Sequence, residues 1–109
     1  VVVPNDAQGF LQDVHWSDGS FGYFETYALG NVYAPQLFMA ISREYPGVED
    51  GVGYAAGCST VRDWLRTHIH SMGQRYEPAE LIERATGEPP DPVYFKRYLA
   101  EKYKALYNL

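Results

Sequence analysis

Between Gly9 and Gly30 the chain reads GFLQDVHWSDGSFGYFETYALG, and no other stretch narrows the choice of folds as much. Phe10, Trp16, Phe21, Tyr23, Phe24 and Tyr27 crowd it with rings, and its only acidic groups are Asp13, Asp18 and Glu25. A surface loop has no need of so many rings. A plain core segment has no need of Gln12, Asp13, His15 and two tyrosines four apart. Polar groups set among apolar rings are the composition of a small-molecule or peptide site.

The flanks of this stretch set its conformation. Val1 to Val3 are β-branched and can pair as a short strand until Pro4 and Asn5-Asp6 turn the chain. In FLQDVHW an extended backbone would put Leu11, Asp13 and His15 on one side. Phe10, Gln12, Val14 and Trp16 would then lie on the other. SDGSFG is turn chemistry, with Gly19 and Gly22 free to take positive φ. Residues 1–22 are therefore expected to be irregular, with at most short strands.

From about Glu25 the period changes. Leu29, Val32, Tyr33, Gln36, Leu37, Ala40 and Ile41 follow the spacing of a helix face, to about Arg43 or Glu44, before Tyr45-Pro46-Gly47. Pro35 predicts a kink or local widening, since it leaves the carbonyl of Asn31 without its donor. VEDGVGYAAGCS reads as the least regular and most mobile part. Ser59 or Thr60 can cap a second helix with Val61, Trp64, Leu65, His68, Ile69 and Met72 inward, closed by Gly73. Pro78 opens a third, with Leu81, Ile82 and Ala85 inward and Gly87 ending it. Asp91-Pro92 opens the last, with Phe95, Tyr98, Leu99, Tyr103 and Leu106 as its buried face. The expected class is mainly α: about four helices behind an aromatic, Gly-rich N-terminal segment.

At 109 residues this is one domain or a piece of one, able to hide roughly two-thirds of its unfolded surface. A net charge of -5 without a Lys/Arg cluster argues against a nucleic-acid partner. A lone Cys58 cannot close an internal disulfide, so a reducing compartment is the simpler reading. No apolar run approaches the ~20 residues of a membrane span, and VVVPNDAQ lacks the basic region and length of a signal peptide. Ten tyrosines suit surfaces dry at one end and wet at the other, or ordinary amphipathic core.

His15 is the best candidate for a reactive group: it can donate to developing negative charge or shuttle a proton, with Asp13 placed to orient it. The alternative is a packed histidine satisfied by a backbone carbonyl. Tyr23 and Tyr27 share a face if the helix already starts near Tyr23, and two phenols there can hold a carboxylate or an oxyanion. The alternative is a pair of core rings. His68 and His70, two apart on a helix, point to different sides and are not read as a metal pair; Cys58 has no base near it in sequence. Glu77, Glu80, Glu83 and Glu88 read as solvated or helix-start charges. No nucleotide loop, His-Glu-x-x-His, Ser-centred elbow or Cys-x-x-Cys occurs.

Gly9-x-x-Gln12-Asp13-x-His15-Trp16, followed by Gly22-Tyr23-Phe24-x-Thr26-Tyr27-Ala28-Leu29-Gly30-Asn31, resembles the C-terminal part of the thermostable, Taq-type metallocarboxypeptidases, peptidase family M32. The likeness continues through Tyr33-x-x-Gln36-Leu37-Phe38, Trp64-Leu65-Arg66-x-x-Ile69-His70, Ala85-Thr86-Gly87-Glu88-Pro89 and Tyr98-Leu99-x-x-Lys102-Tyr103, so it covers essentially the whole chain. Two positions depart from it: Glu25, where the family usually has Pro, and Pro35, where Ala is usual.

The resemblance implies a large, nearly all-helical, zincin-like peptidase with a deep cleft, a cytoplasmic homodimer that removes C-terminal residues from peptide substrates. Its zinc or cobalt would be held by a His-Glu-x-x-His helix and a downstream glutamate that are absent here, so no residue of this chain is expected to bind metal. Residues 1–109 then form a single C-terminal domain or fragment, 1–24 lining the cleft and 25–109 helical, inactive without the missing N-terminal part. By matching positions, Gln12, Asp13, His15 and Trp16 fall on a family motif associated with the active site, and Tyr23 and Tyr27 on the next family block. By looser analogy with other helical zinc peptidases, His15 and Tyr27 are expected to be catalytic, and Gln12, Asp13, Trp16 and Tyr23 substrate-binding. The competing expectation is a non-catalytic helical binding or dimerisation module.

Overall fold

The chain, described over residues 2–108 by a computed structural model, divides into two compact units, one up to Gly30 and the other from Asn31 onward. Its α-helices are α1 (Val14–Ser17), α2 (Glu25–Glu44), α3 (Val48–Gly51), α4 (Ala55–His68), α5 (Pro78–Thr86) and α6 (Val93–Tyr107). No strand occurs among the described residues. The class is mainly α. The four long helices are those that periodicity predicts, and α1 and α3 add one turn each.

The first unit differs from the extended reading of its sequence. Asp6–Gln8 and Phe10–Gln12 are 3-10 turns, and Val14–Ser17 is already helical. Side chains cause this curling. Asn5 accepts the N–H of Gln8 at 3.0 Å, and Asp13 accepts the N–H of His15 at 3.0 Å; both are short polar residues satisfying the free donors of a helical turn. The alternating sides expected for Leu11, Asp13 and His15 therefore do not exist. Val2 and Val3 belong to no strand, and Val1 lies outside the described residues. No described residue of this unit is buried.

The second unit holds the core. Ile41, Val48 and Trp64 are its buried centre, with Leu37, Phe38, Ala40, Val61, Leu65, Ile69 and Ala85 packed against them. Each such side chain contributes about 1.5–3 kcal/mol when fully buried. Helix α2 continues through Pro35 and ends at Glu44, and Gly47, with φ +86°, starts α3. Helix α5 starts with Pro78 and stops at Gly87, φ +82°. Asp91 accepts the N–H of Val93 at 2.8 Å and so caps α6, beside Pro92.

Three expectations fail in this unit. Helix α4 begins at Ala55, well before Ser59 and Thr60, whose hydroxyls instead donate back to the carbonyl of Ala56. The glycine-rich stretch before it is not irregular. Gly57 is buried, and a Cβ there would stand 2.1 Å from the carbonyl of Gly51; the glycines permit α3 and α4 to touch backbone to backbone. The apolar stripe of α6 is also less buried than its spacing predicts, for Tyr98, Tyr103 and Leu106 are all exposed.

Candidate functional site

The most unusual local chemistry lies in the first unit. Asp13 caps α1 with one carboxylate oxygen, and the same oxygen meets Nδ1 of His15 at 2.6 Å. An ionised carboxylate can only accept, so Nδ1 carries the proton and Nε2 is the ring nitrogen left for a ligand. This pair is the more sheltered part of the unit, with side chains 15% (His15) and 23% (Asp13) exposed.

Three rings surround the imidazole. The centroid of His15 lies 5.4 Å from that of Tyr23, 5.5 Å from that of Phe24 and 5.7 Å from that of Tyr27. Tyr23 and Tyr27 are 6.2 Å apart and nearly perpendicular. They do not share a helix face in the way their spacing suggests, because α2 starts only at Glu25. Tyr23 stands just before the helix and Tyr27 in its first turn. A turn holds them: Thr26 donates its hydroxyl to the carbonyl of Tyr23 at 2.7 Å. Gly19 and Gly22 have φ of +83° and +75°, and Ser20 donates its N–H to the carbonyl of His15 at 2.7 Å. That turn brings the later rings back over α1.

Of the residues singled out from sequence, Asp13, His15, Tyr23 and Tyr27 come together. Gln12 does not join them through its amide, which donates to the carbonyl of Ala7. Trp16 packs edge-on against Phe21, centroids 4.9 Å apart. Phe24 was not a candidate, yet it touches both His15 and Tyr27; its place next to Tyr23 was the available signal. The phenols and Phe24 are each more than half exposed. Nearby, Asp18 is held below the ordinary carboxylate range by hydrogen bonds from Ser20, then by the proximity of His15.

Chemically, the arrangement gathers an oriented imidazole and two phenol rings in one place, residue types able to hydrogen-bond a carboxylate or an oxyanion. It does not suit a metal. No three His, Cys, Asp or Glu side chains come together among the described residues. His68 stacks on Trp64 at 4.2 Å, and His70 stands exposed in the turn that follows.

In the second unit, sequence reasoning missed a polar hub. Gln36 is 2% exposed. Its amide nitrogen lies 3.0 Å from the Thr86 hydroxyl, 3.0 Å from the carbonyl of Glu88 and 3.1 Å from that of Pro89. Its oxygen accepts the N–H of Asp91 at 3.0 Å. Glu88 is not simply solvated either: Tyr94 donates its hydroxyl to it, and Arg43 pairs with it at 3.3 Å. These two partners, the tyrosine first, hold its carboxyl below the ordinary value of 4.5.

Comparison with known proteins returns one consistent answer. Residues 1–103 match the family model for carboxypeptidase Taq (M32) metallopeptidases. Thermostable carboxypeptidase 1 of Thermus thermophilus is 46% identical, over 98% of this chain and 21% of that protein. Carboxypeptidase 1 of Bacillus subtilis is 41% identical, over 95% of this chain and 21% of its own length. Among solved structures, the M32 carboxypeptidase of Deinococcus radiodurans R1 superposes with a TM-score of 0.84 and 38% identity, over 100% of this chain and 22% of that one. The chain thus spans about a fifth of the relatives it matches.

Proposed function

Because the chain belongs to the carboxypeptidase Taq (M32) metallopeptidase family, we propose that it is the C-terminal substrate-cleft portion of a metal-dependent carboxypeptidase. The parent enzyme removes C-terminal residues from peptides. The observation that carries this reading is the convergence of Asp13, His15, Tyr23 and Tyr27, a hydrogen-bonded imidazole with two phenol rings within 6 Å of it.

In this reading Asp13 fixes the tautomer and direction of His15. His15 Nε2 and the hydroxyl of Tyr27 or Tyr23 bind the terminal carboxylate of the peptide or the oxyanion of the tetrahedral intermediate, and Phe24 shields that side from water. Gln12 and Trp16 shape the flank of the same cleft. In this reading the ligands of the family's metal, zinc or cobalt, belong to the rest of the parent; among the described residues no three His, Cys, Asp or Glu side chains come together. The same resemblance supports a cytoplasmic homodimer. No described helix is long and apolar enough to cross a membrane.

The test is a chimera in which this chain replaces the matching fifth of the Bacillus subtilis enzyme. It should release the terminal residue from a peptide with a free carboxylate and spare the same peptide amidated. His15→Ala in the chimera should lower kcat/KM by about 10²–10³, the loss typical of one oxyanion donor. An unchanged rate in that variant would sink the reading. The 109-residue chain alone should release nothing, with or without added zinc or cobalt.

A further inference from the structure

The imidazole and the first phenol of the candidate site stand at the two ends of one turn, and Ser20 joins them. Its backbone N–H donates to the carbonyl of His15 at 2.7 Å, and its own carbonyl accepts the N–H of Tyr23 at 3.2 Å. One residue therefore ties the backbone of the imidazole to that of the phenol, whose ring centroids lie 5.4 Å apart. Thr26 then donates its N–H and its hydroxyl to the carbonyl of Tyr23, which carries the tie into the first turn of α2.

Asp18 fixes Ser20. Its Oδ1 accepts the same Ser20 N–H at 3.0 Å, so that proton is shared between the carboxylate and the carbonyl of His15. The hydroxyl of Ser20 bonds the carboxylate as well. Ending α1 requires none of this. The backbone N–H of Asp18 already returns to the carbonyls of Val14 and Trp16, and Gly19, at φ +83°, reverses the chain. What the Asp18 side chain adds is a fixed direction for Ser20. Close packing does not supply that direction, since no described residue of this unit is buried. Two aspartates thus hold His15: Asp13 directly, and Asp18 through Ser20.

We propose that Asp18 and Ser20 are positioning residues, a clasp that sets the spacing of the His15 imidazole and the Tyr23 ring. Neither touches the substrate. Their effect on rate rests on the reading of His15 and the phenols as the site for a carboxylate or an oxyanion. Their effect on the geometry does not depend on that reading, and the two are measured separately.

Asp18→Ala and Asp18→Asn are made in the chimera, each with and without His15→Ala. Asp18→Ala alone should lower kcat/KM about 10- to 100-fold, as a misplacement of about 1 Å can do. Asp18→Asn keeps an oxygen for the Ser20 N–H and should restore most of that rate. In the His15→Ala background Asp18→Ala should cost little more, because no imidazole is left to position. A full loss in that background overturns the proposal, for Asp18 would then act on stability alone. So does an Asp18→Asn variant as slow as Asp18→Ala, which would make charge rather than the tie the cause. Full activity in Asp18→Ala, with His15→Ala impaired, overturns the clasp and leaves the functional reading standing. If His15→Ala costs nothing, the functional reading falls and the geometry decides. In the 109-residue chain the His15 ring lies 5.4 to 5.7 Å from three aromatic rings, so its proton resonances should carry ring-current shifts. Asp18→Ala should collapse those shifts and Asp18→Asn keep them. Shifts unmoved by Asp18→Ala overturn the proposal, whether or not the chimera folds.

Discussion

The side-chain oxygen of Gln36, in the middle of α2, accepts the backbone N–H of Asp91 at 3.0 Å across 55 residues of sequence. The same amide donates to the carbonyls of Glu88 and Pro89, so one buried glutamine holds the loop between α5 and α6 in place. Gln36 is buried while Glu88, Pro89 and Asp91 are exposed, so water can replace only part of what the amide supplies.

Gln36→Met keeps the shape and removes the polar contacts. The expected loss is about 2–4 kcal/mol, from several stranded polar groups at 1–3 kcal/mol each with partial relaxation. Urea unfolding measures it. A change under 0.5 kcal/mol would mean that the loop is held by something else.

Two helical glycines should respond with opposite signs. Gly57→Ala drives a methyl into the backbone of Gly51 and should cost roughly 1–3 kcal/mol or more, as overpacked sites do. Gly30→Ala, with nothing within 4 Å of the new Cβ, should gain about 0.5–1 kcal/mol from helix propensity alone. Melting curves of the two variants decide.

Acid should loosen the contacts of Glu88 in a defined window. Its carboxyl is depressed below 4.5 by the hydroxyl of Tyr94 and then by Arg43, so the unfolded chain takes up the proton first. The contribution is complete above about pH 4.5 and is lost as pH falls through the lower, folded value. Tyr94→Phe removes the larger cause and should flatten the dependence of the urea midpoint between pH 5 and 3. The site is exposed, so the effect is modest and shrinks further in high salt.

Within the parent enzyme the two phenols can be separated by their hydroxyls. If Tyr27 donates to the oxyanion, Tyr27→Phe should lower kcat by about 10²–10³ with little change in KM. If it holds the ground-state carboxylate instead, KM rises and kcat stays. Asp13→Asn should lower kcat and shift the pH profile, since Asn can present its amide to Nδ1 and reverse the tautomer. A profile identical to that of the wild type would remove Asp13 from the positioning role.

The long helices were legible because burial follows a 3.6-residue period: Leu37 and Ile41, Val61 and Trp64, and Ile82 fall where the stripe predicts. The first unit was not, for its alternation of Leu11, Asp13 and His15 suggests a strand. The deciding force is the local capping bond from Asp13 to the N–H of His15, which periodicity does not see. Gln36 was read as part of a helix face, but its partners lie 50 to 55 residues away. The close passage of Gly57 over Gly51 is a contact in space that composition expresses only as an apparently loose, glycine-rich stretch. At the candidate site, the residue types were visible in the sequence, while Phe24 and the withdrawal of the Gln12 amide needed coordinates.

The two tryptophans sit in opposite surroundings. Trp64 is 4% exposed, hydrogen-bonded through Nε1 to Glu44 at 2.7 Å and stacked on His68, while Trp16 is 45% exposed. Their fluorescence should therefore divide by wavelength, a blue component from the interior indole and a red one from the wet indole. A denaturant series followed at both edges of the emission band would time the melting of each unit without any added label.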